Sequence, residues 1–373
     1  MSTPRIEVDL SKIRHNTQTV VGRLKARGIG VTGVTKAVCG HPAIAQAMLD
    51  GGAMGLADLR LSNVQKLRKA GITCPVTLIR TPMLSQADQV VQVCEASYNT
   101  QMVVIAALAA AAIRNDTVHG IVLMVEMGDR REGIMPEDLG TVVRQVVEMS
   151  GVALKGIGAN FACLSAIAPD AAKMASLSLL ATETEGRCGP FLQTISGGNS
   201  ASLPWALGEQ STGRINDLRL GEAILLGVDP VSGGQIDGMY KDAFTLVAEV
   251  IETDTKPVRP SVSFADPALA RLRLAPNSAE TTRLILAIGH QDTDILGLCM
   301  PLGTTLIGAT SDHLVIGTNH STLSVGSEMR FQVNYSALMQ AMAAPDIDIT
   351  LLRDQPSRHA QGTLGSDKHL ALL

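Results

Sequence analysis

Short apolar runs alternate with longer stretches whose apolar residues recur at helical spacing, and the alternation persists to about residue 228. The runs predict strands at Val31–Ala37, Gly52–Ala57, Val76–Arg80, Val93–Tyr98, Gly120–Met127, Lys155–Phe161, Leu192–Gly197 and Glu222–Leu226. Between them, Pro42–Leu49, Leu61–Ala70, Thr100–Arg114, Pro136–Met149, Pro169–Glu183 and Ala201–Gln210 read as helices. Eight strand–helix alternations of this length match a (β/α)8 TIM-type barrel. A doubly wound open sheet is the alternative, but no G-x-G-x-x-G follows the first strand.

After about residue 235 the texture changes to strand-like segments: Ala243–Glu252, Arg283–Ile288, Leu306–Ile307, His313–Ile316 and Glu328–Val333. Lys256-Pro257, Arg259-Pro260, Met300-Pro301 and Gly303 punctuate them, as in a small β-domain. The expected organisation is a barrel over 1–234 followed by a smaller, mostly-β C-terminal domain over 235–345. An N-terminal strand at about 4–10 is expected to join that second domain. The tail, 346–373, is expected to be poorly ordered near its end.

Composition narrows the field. At 373 residues the chain exceeds the usual single-core limit. A net charge of −4 without a basic stripe argues against a nucleic-acid partner, and aromatics at 2% supply no stacking platform. The six cysteines form no C-x-x-C pair, which reads as reduced thiols in a cytoplasmic protein without a metal site. No charged leader precedes an apolar core at the N-terminus, and the most apolar run, Met102–Ile113, is too short to span a bilayer.

In such a barrel the chemistry gathers where strands end. Val34-Thr35-Lys36-Ala37 delivers Lys36 there between apolar walls, which lower an amine's pKa and prepare it to attack a carbonyl. A solvated lysine at a strand end is the alternative reading of the same residues. Ser196-Gly197-Gly198-Asn199-Ser200 opens a helical segment and offers N–H donors to an anion, or merely caps it. Arg219 stands just before the last predicted strand, and Gly128-Asp129-Arg130-Arg131-Glu132-Gly133 follows the fifth. One lysine, an anion cradle and arginines together point to pyridoxal 5′-phosphate (PLP), which needs an amine, phosphate donors and a partner for its pyridine nitrogen.

The run Arg5-Ile6-Glu7-Val8-Asp9-Leu10-Ser11-Lys12-Ile13-Arg14-His15-Asn16 resembles the start of alanine-racemase-like, fold-type III PLP enzymes. Thr35–Gly40, Gly128–Gly133, Ala287–Asp292 and Ser311–Leu314 are most similar to the ornithine-racemase-type members, a likeness spanning about residues 4 to 345. The resemblance implies an amino acid racemase acting by α-proton exchange on ornithine or another basic amino acid. It further implies a homodimer with shared active sites. Lys36 would bind the cofactor's aldehyde, Arg219 would face its pyridine nitrogen and Arg131 its phenolic oxygen. Asn160 takes the place of a histidine beside the ring, while Asn199, Ser200 and Tyr335 match residues at the phosphate, with Ser196 and Gly198 in the same cradle.

Racemisation needs a second acid/base opposite the lysine. Alanine racemases take a tyrosine from the partner subunit, but this chain has Pro260-Ser261-Val262-Ser263-Phe264 in that neighbourhood. His290 and Asp312 are the leading candidates, followed by Asp292, Cys299 and His313. Cys299 is otherwise expected as a buried packing residue. Rival readings are a D-threonine aldolase or D-serine dehydratase of the same fold type, and a non-catalytic PLP-binding paralogue. The metal-dependent rivals carry a His and Cys pair where this chain has Val333-Asn334-Tyr335-Ser336-Ala337.

Overall fold

The computed structural model describes residues 4–189, 191–257, 280–318 and 323–352. The chain opens with β1 (Arg5–Asp9), whose last residue caps α1 (Leu10–Lys25): Asp9 Oδ1 accepts from Ser11 N at 3.0 Å and Lys12 N at 3.1 Å. The barrel follows as β2 (Gly30–Val34), α2 (Pro42–Asp50), β3 (Gly55–Asp58), α3 (Leu61–Lys69), β4 (Val76–Leu78), α4 (Ala87–Val93) and β5 (Ala96–Asn99). It continues through α5 (Met102–Arg114), β6 (His119–Met124), α6 (Leu139–Val147), β7 (Val152–Gly158), α7 (Ala171–Cys188) and β8 (Thr194–Ser196). The one-turn α8 (Leu203–Ala206), β9 (Asp217–Leu220) and α9 (Glu222–Leu226) complete it. Strands β2 to β9 close into an eight-stranded parallel barrel, the last pairing with the first in the register Gly30↔Asp217 and Thr32↔Arg219.

One strand departs from expectation. Glu222–Leu226 is the helix α9, and the eighth strand is Asp217–Leu220, so Arg219 lies within it. The misreading has a physical source. Asp217 and Arg219 turn polar side chains into the barrel and break the apolar run that marks a buried strand. Glu222–Leu226 is apolar after its first residue but is buried as one helical turn, ended by left-handed Gly227 at φ 63°. The expected helix over Ala201–Gln210 likewise shrinks to a 3-10 turn, Ser200–Ser202, and α8.

The second unit is a sheet of eight strands: β1 with β10 (Phe244–Pro257), β11 (Glu280–Leu286), β12 (Leu298–Cys299), β13 (Thr304–Ala309), β14 (Leu314–Thr318), β15 (Glu328–Val333) and β16 (Asp348–Leu352). The β1 strand runs antiparallel to β10 and parallel to β16. The long β10 serves two neighbours: Thr245–Glu249 pairs with β15, and the stretch from Val250 pairs with β11 after a bulge before Glu252. Asp348–Leu352 falls in the stretch read as tail, while Asp354 onward and Pro260–Phe264 lie outside the described residues. The helix Tyr335–Ala341, which hydropathy did not flag, follows β15 and returns toward the barrel mouth.

Asn16 ties α1 to α9 and to the segment that leads into β10. It is fully buried on α1, donates to Ile224 O at 3.0 Å and Tyr240 O at 2.8 Å, and accepts from Tyr240 N at 2.7 Å. The core is aliphatic, with Phe161, Phe244 and Phe331 its largest fully buried side chains. No described helix is long and apolar enough to cross a membrane.

His119, at the start of β6, is 1% exposed, and its Nε2 lies 2.8 Å from Ser97 Oγ. Burial pushes its pKa down to about 4 from 6.5. The folded state therefore binds its proton less readily than the unfolded state. The associated stability is complete above pH 6.5 and is lost as pH falls toward 4, on the order of 3 kcal/mol. Urea unfolding at stepped pH should show this loss, and His119→Gln should flatten it; an unchanged slope in the variant would remove His119 as its source.

Candidate active site

Lys36 stands two residues beyond β2, at the head of a 3-10 turn over Lys36–Val38, rather than inside a longer strand. The turn is anchored from below. Thr35 Oγ1 donates to Asp58 Oδ2 at 2.7 Å, and Asp58 Oδ1 accepts from Arg60 N at 2.8 Å and Asn63 Nδ2 at 3.0 Å. Left-handed Cys39 and Gly40 close the turn, and a Cβ on Gly40 would meet Asn63 O at 2.9 Å. Among the described residues Lys36 Nζ has no hydrogen-bond or ion-pair partner; it lies over the Tyr335 ring, 5.9 Å from the centroid. Burial holds its pKa below the ordinary value, opposed by the Cys163 thiol and reinforced by the Arg131 charge.

Arg219 is 4% exposed and its cation is balanced by a buried relay. Nη1 donates to Tyr98 Oη at 3.1 Å and to Ser196 Oγ, Ser196 Oγ donates to Asp217 Oδ2, and Asp217 Oδ1 accepts from Thr32 Oγ1 at 2.7 Å. Nη2 donates to Ala159 O at 2.8 Å. A guanidinium has five N–H groups, so Nε–H and one Nη2–H are left without a partner among the described residues. Its carbon sits 4.6 Å from the Tyr98 ring centroid, a cation–π contact the sequence reading passed over.

Arg131 forms a forked pair with Glu132, and that hydrogen bond raises its already high pKa. Asp129 lies beneath at 3% exposure and holds the loop after β7: its Oδ1 accepts from Cys163 N and Leu164 N, both at 3.0 Å, and from Ser165 N at 3.3 Å. Asn160 Nδ2 reaches Asp129 Oδ2 at 3.3 Å and Cys163 Sγ at 2.9 Å. Asn199 caps the 3-10 turn through Ala201 N at 2.9 Å and donates to Phe161 O at 2.8 Å.

Lys36, Arg131, Asn160, Asn199, Ser200, Arg219 and Tyr335 line one cavity of about 520 Å³ at the barrel mouth. Ser196 and Gly198 do not. Ser196 is spent on the Arg219 relay, and Gly198 bends the backbone at φ 105°, where a Cβ would meet Ser202 Oγ at 2.8 Å. Neither His290 nor Asp312 of this chain lines it; both lie in the β-domain, where His290 N donates to Thr310 O at 2.9 Å and Asp312 Oδ1 pairs with His313 Nδ1 at 3.0 Å. Asp292 caps the same turn through Gly289 N. Cys299 is exposed, not packed inside, and lines a second cavity of about 430 Å³. Cys163 and Glu222 complete the first cavity's wall. A scattered cysteine and a helix-starting glutamate carry no spacing signal that would have found them.

Residues 8–230 match the family model for the alanine racemase N-terminal domain. The chain belongs to the alanine racemase family. Its similarity to the ornithine racemase of Acetoanaerobium sticklandii is 32% identity, covering 94% of this chain and 99% of that one. For the lysine racemase of Thermotoga maritima the figures are 33%, 93% and 98%. The alanine racemase of a D-cycloserine-producing Streptomyces lavendulae shares the fold, with a TM-score of 0.77 over 95% of this chain and 99% of that one at 19% identity. A D-threonine aldolase from Filomicrobium marinum does too, at TM-score 0.71 and 15% identity, covering 94% of this chain and 90% of that one. In this alanine racemase family chain the cavity sits where the barrel and the β-domain meet.

The environment of Lys36 makes a direct prediction. Acetylation followed by mass spectrometry across a pH series should give Lys36 an inflection below the ordinary 10.5. An inflection at or above that value would mean the amine is as well hydrated as a surface lysine.

Proposed function

We propose that this protein is a PLP-dependent amino acid racemase acting on basic amino acids of the ornithine and lysine kind. The observation that carries the reading is Lys36: a partly buried amine without a partner, held in a turn over a cavity at the mouth of a closed barrel. Full-length similarity to an ornithine and a lysine racemase supports the substrate class. The assembly proposed is a cytoplasmic homodimer with shared sites.

The residues present fit the cofactor. Lys36 supplies a free amine, and Arg219, which lines the cavity, keeps two N–H groups without partners among the described residues. Ser200 and Tyr335 offer hydroxyls in the same lining. When bound, PLP supplies an aldehyde for covalent attachment and an electron sink that loosens the α-hydrogen of an amino acid.

The protein's part is positional and electrostatic. Lys36 would hold the group through its amine and is placed to take an α-proton; burial lowers its pKa and so makes the neutral amine easier to reach for either task. Arg219 cannot surrender a proton, so a ring nitrogen held by it would have to accept and stay neutral, which would restrain electron withdrawal and favour simple proton exchange. Arg131 brings a second fixed cation to the cavity, tethered by Glu132, suited to a phenolic oxygen or a carboxylate. Asn160 and Asn199, bonded to each other at 3.0 Å, hold the wall between them in shape.

Incubation with single enantiomers of ornithine, lysine, arginine, alanine and serine in deuterated water tests the reading. Ornithine or lysine should gain α-deuterium and lose optical rotation. Lys36→Ala should lower the rate by on the order of 10²–10⁴ or more and abolish the borohydride-reducible adduct. Release of glycine and an aldehyde from hydroxy amino acids would instead identify an aldolase.

A further inference from the structure

Inversion at the α-carbon requires proton exchange on both of its faces, and Lys36 serves one. Besides Lys36, the cavity wall holds three titratable groups other than the permanently charged arginines: Cys163, Glu222 and Tyr335. Burial pushes the Tyr335 phenol far above its ordinary range. Glu222 follows β9, the strand paired directly with β2 and therefore on the Lys36 side of the mouth. Cys163 follows β7, which stands three places from β2 around the closed ring. It thus enters the cavity from across the mouth. Among the described cysteines the other exposed thiol, Cys299, lines the separate cavity, and burial raises the thiols of Cys39, Cys74 and Cys94, the last to about 12.

We propose that Cys163 Sγ is the second proton-exchanging group, serving the face of the α-carbon opposite Lys36. The proposal rests on the racemase reading of the cavity. The thiol sits in a built setting: Asn160 Nδ2 and Asn199 Nδ2 donate to the sulfur at 2.9 and 3.3 Å, and its own backbone N–H is pinned by buried Asp129. Left-handed Ala162, at φ 58°, turns the chain immediately before it, a conformation of a kind that gathers at functional sites.

Protons balance over a turnover. In one direction the α C–H bond breaks toward the Lys36 amine, its electron pair remaining with the bound substrate. The S–H bond of Cys163 then breaks as a new C–H bond forms on the other face. Solvent carries a proton from the Lys36 ammonium to the thiolate and restores both groups. The reverse reaction exchanges their roles.

Cys163→Ala and Cys163→Ser, loaded with PLP and given each enantiomer of ornithine and lysine in deuterated water, test this. Racemisation should fall at least ~100-fold, within the range for losing a general acid/base. One enantiomer, the one whose α-hydrogen faces Lys36, should still gain deuterium without inversion. Independently of turnover, iodoacetamide labelling of Cys163 in the wild-type protein, read by mass spectrometry, should slow at least tenfold when PLP and the amino acid are bound. Racemisation by Cys163→Ala within threefold of wild type overturns the assignment, as does loss of deuteration for both enantiomers with the PLP absorbance intact, or labelling that the ligands leave unchanged. Those results leave the racemase reading standing. A wild-type protein that neither deuterates nor racemises any of the amino acids removes that reading and this one with it.

Discussion

Pairing of the last barrel strand with the first is the constraint on which the site depends. The register that sets Thr32 beside Arg219 closes the ring and lets Thr32 donate to Asp217 across the seam. The same closure places the residues after β2 and those on β9 at one end of a single cylinder. Lys36 and Arg219, distant in sequence, thereby line the same cavity. An open sheet of the same strands would leave that seam unpaired and the two cations on separate edges.

A cation inside a barrel must be compensated, because an unpaired buried charge costs several kcal/mol. Arg219 meets that demand through Ser196 to Asp217, with Tyr98 over its face. The relay is polar on one side of the lumen, while Tyr98 itself clusters with Val122 and Met124 on the other. Lys36 is handled differently. Among the described residues none pairs with its amine, and burial outweighs the charges of Cys163, Glu222 and Asp58 in moving its titration. The mouth therefore holds one cation that cannot lose its proton and one amine inclined to.

The mouth loops owe their shape to buried carboxylates beneath them. Asp58 collects bonds from Thr35, Arg60 and Asn63 under the Lys36 turn, and Asp129 gathers three backbone N–H groups under the loop that carries Cys163. Left-handed residues at Cys39, Arg130 and Ala162 sit in these same turns. Such loops are set by a rigid scaffold from below, which lets their outward side chains hold position without packing of their own.

Periodicity determined the strand–helix alternation, the following β-domain and the placement of Lys36 near a strand end, because burial on both faces of a parallel strand writes an apolar run into the chain. The motif carrying Arg131 and the segment carrying Asn199 and Ser200 were legible for the same reason: they follow strands. Hydropathy failed at β9, where inward Asp217 and Arg219 disguise a strand, and at Glu222–Leu226, where one buried helical turn imitates one. It also could not find the partners of Arg219, nor show that Tyr335 returns to Lys36 from 299 residues away while His290 and Asp312 stay outside this chain's cavity. Those are long-range matters, decided by barrel closure and by the return of the helix after β15. Side-chain proximity between distant segments leaves no local periodic trace, so only the tertiary structure could decide it.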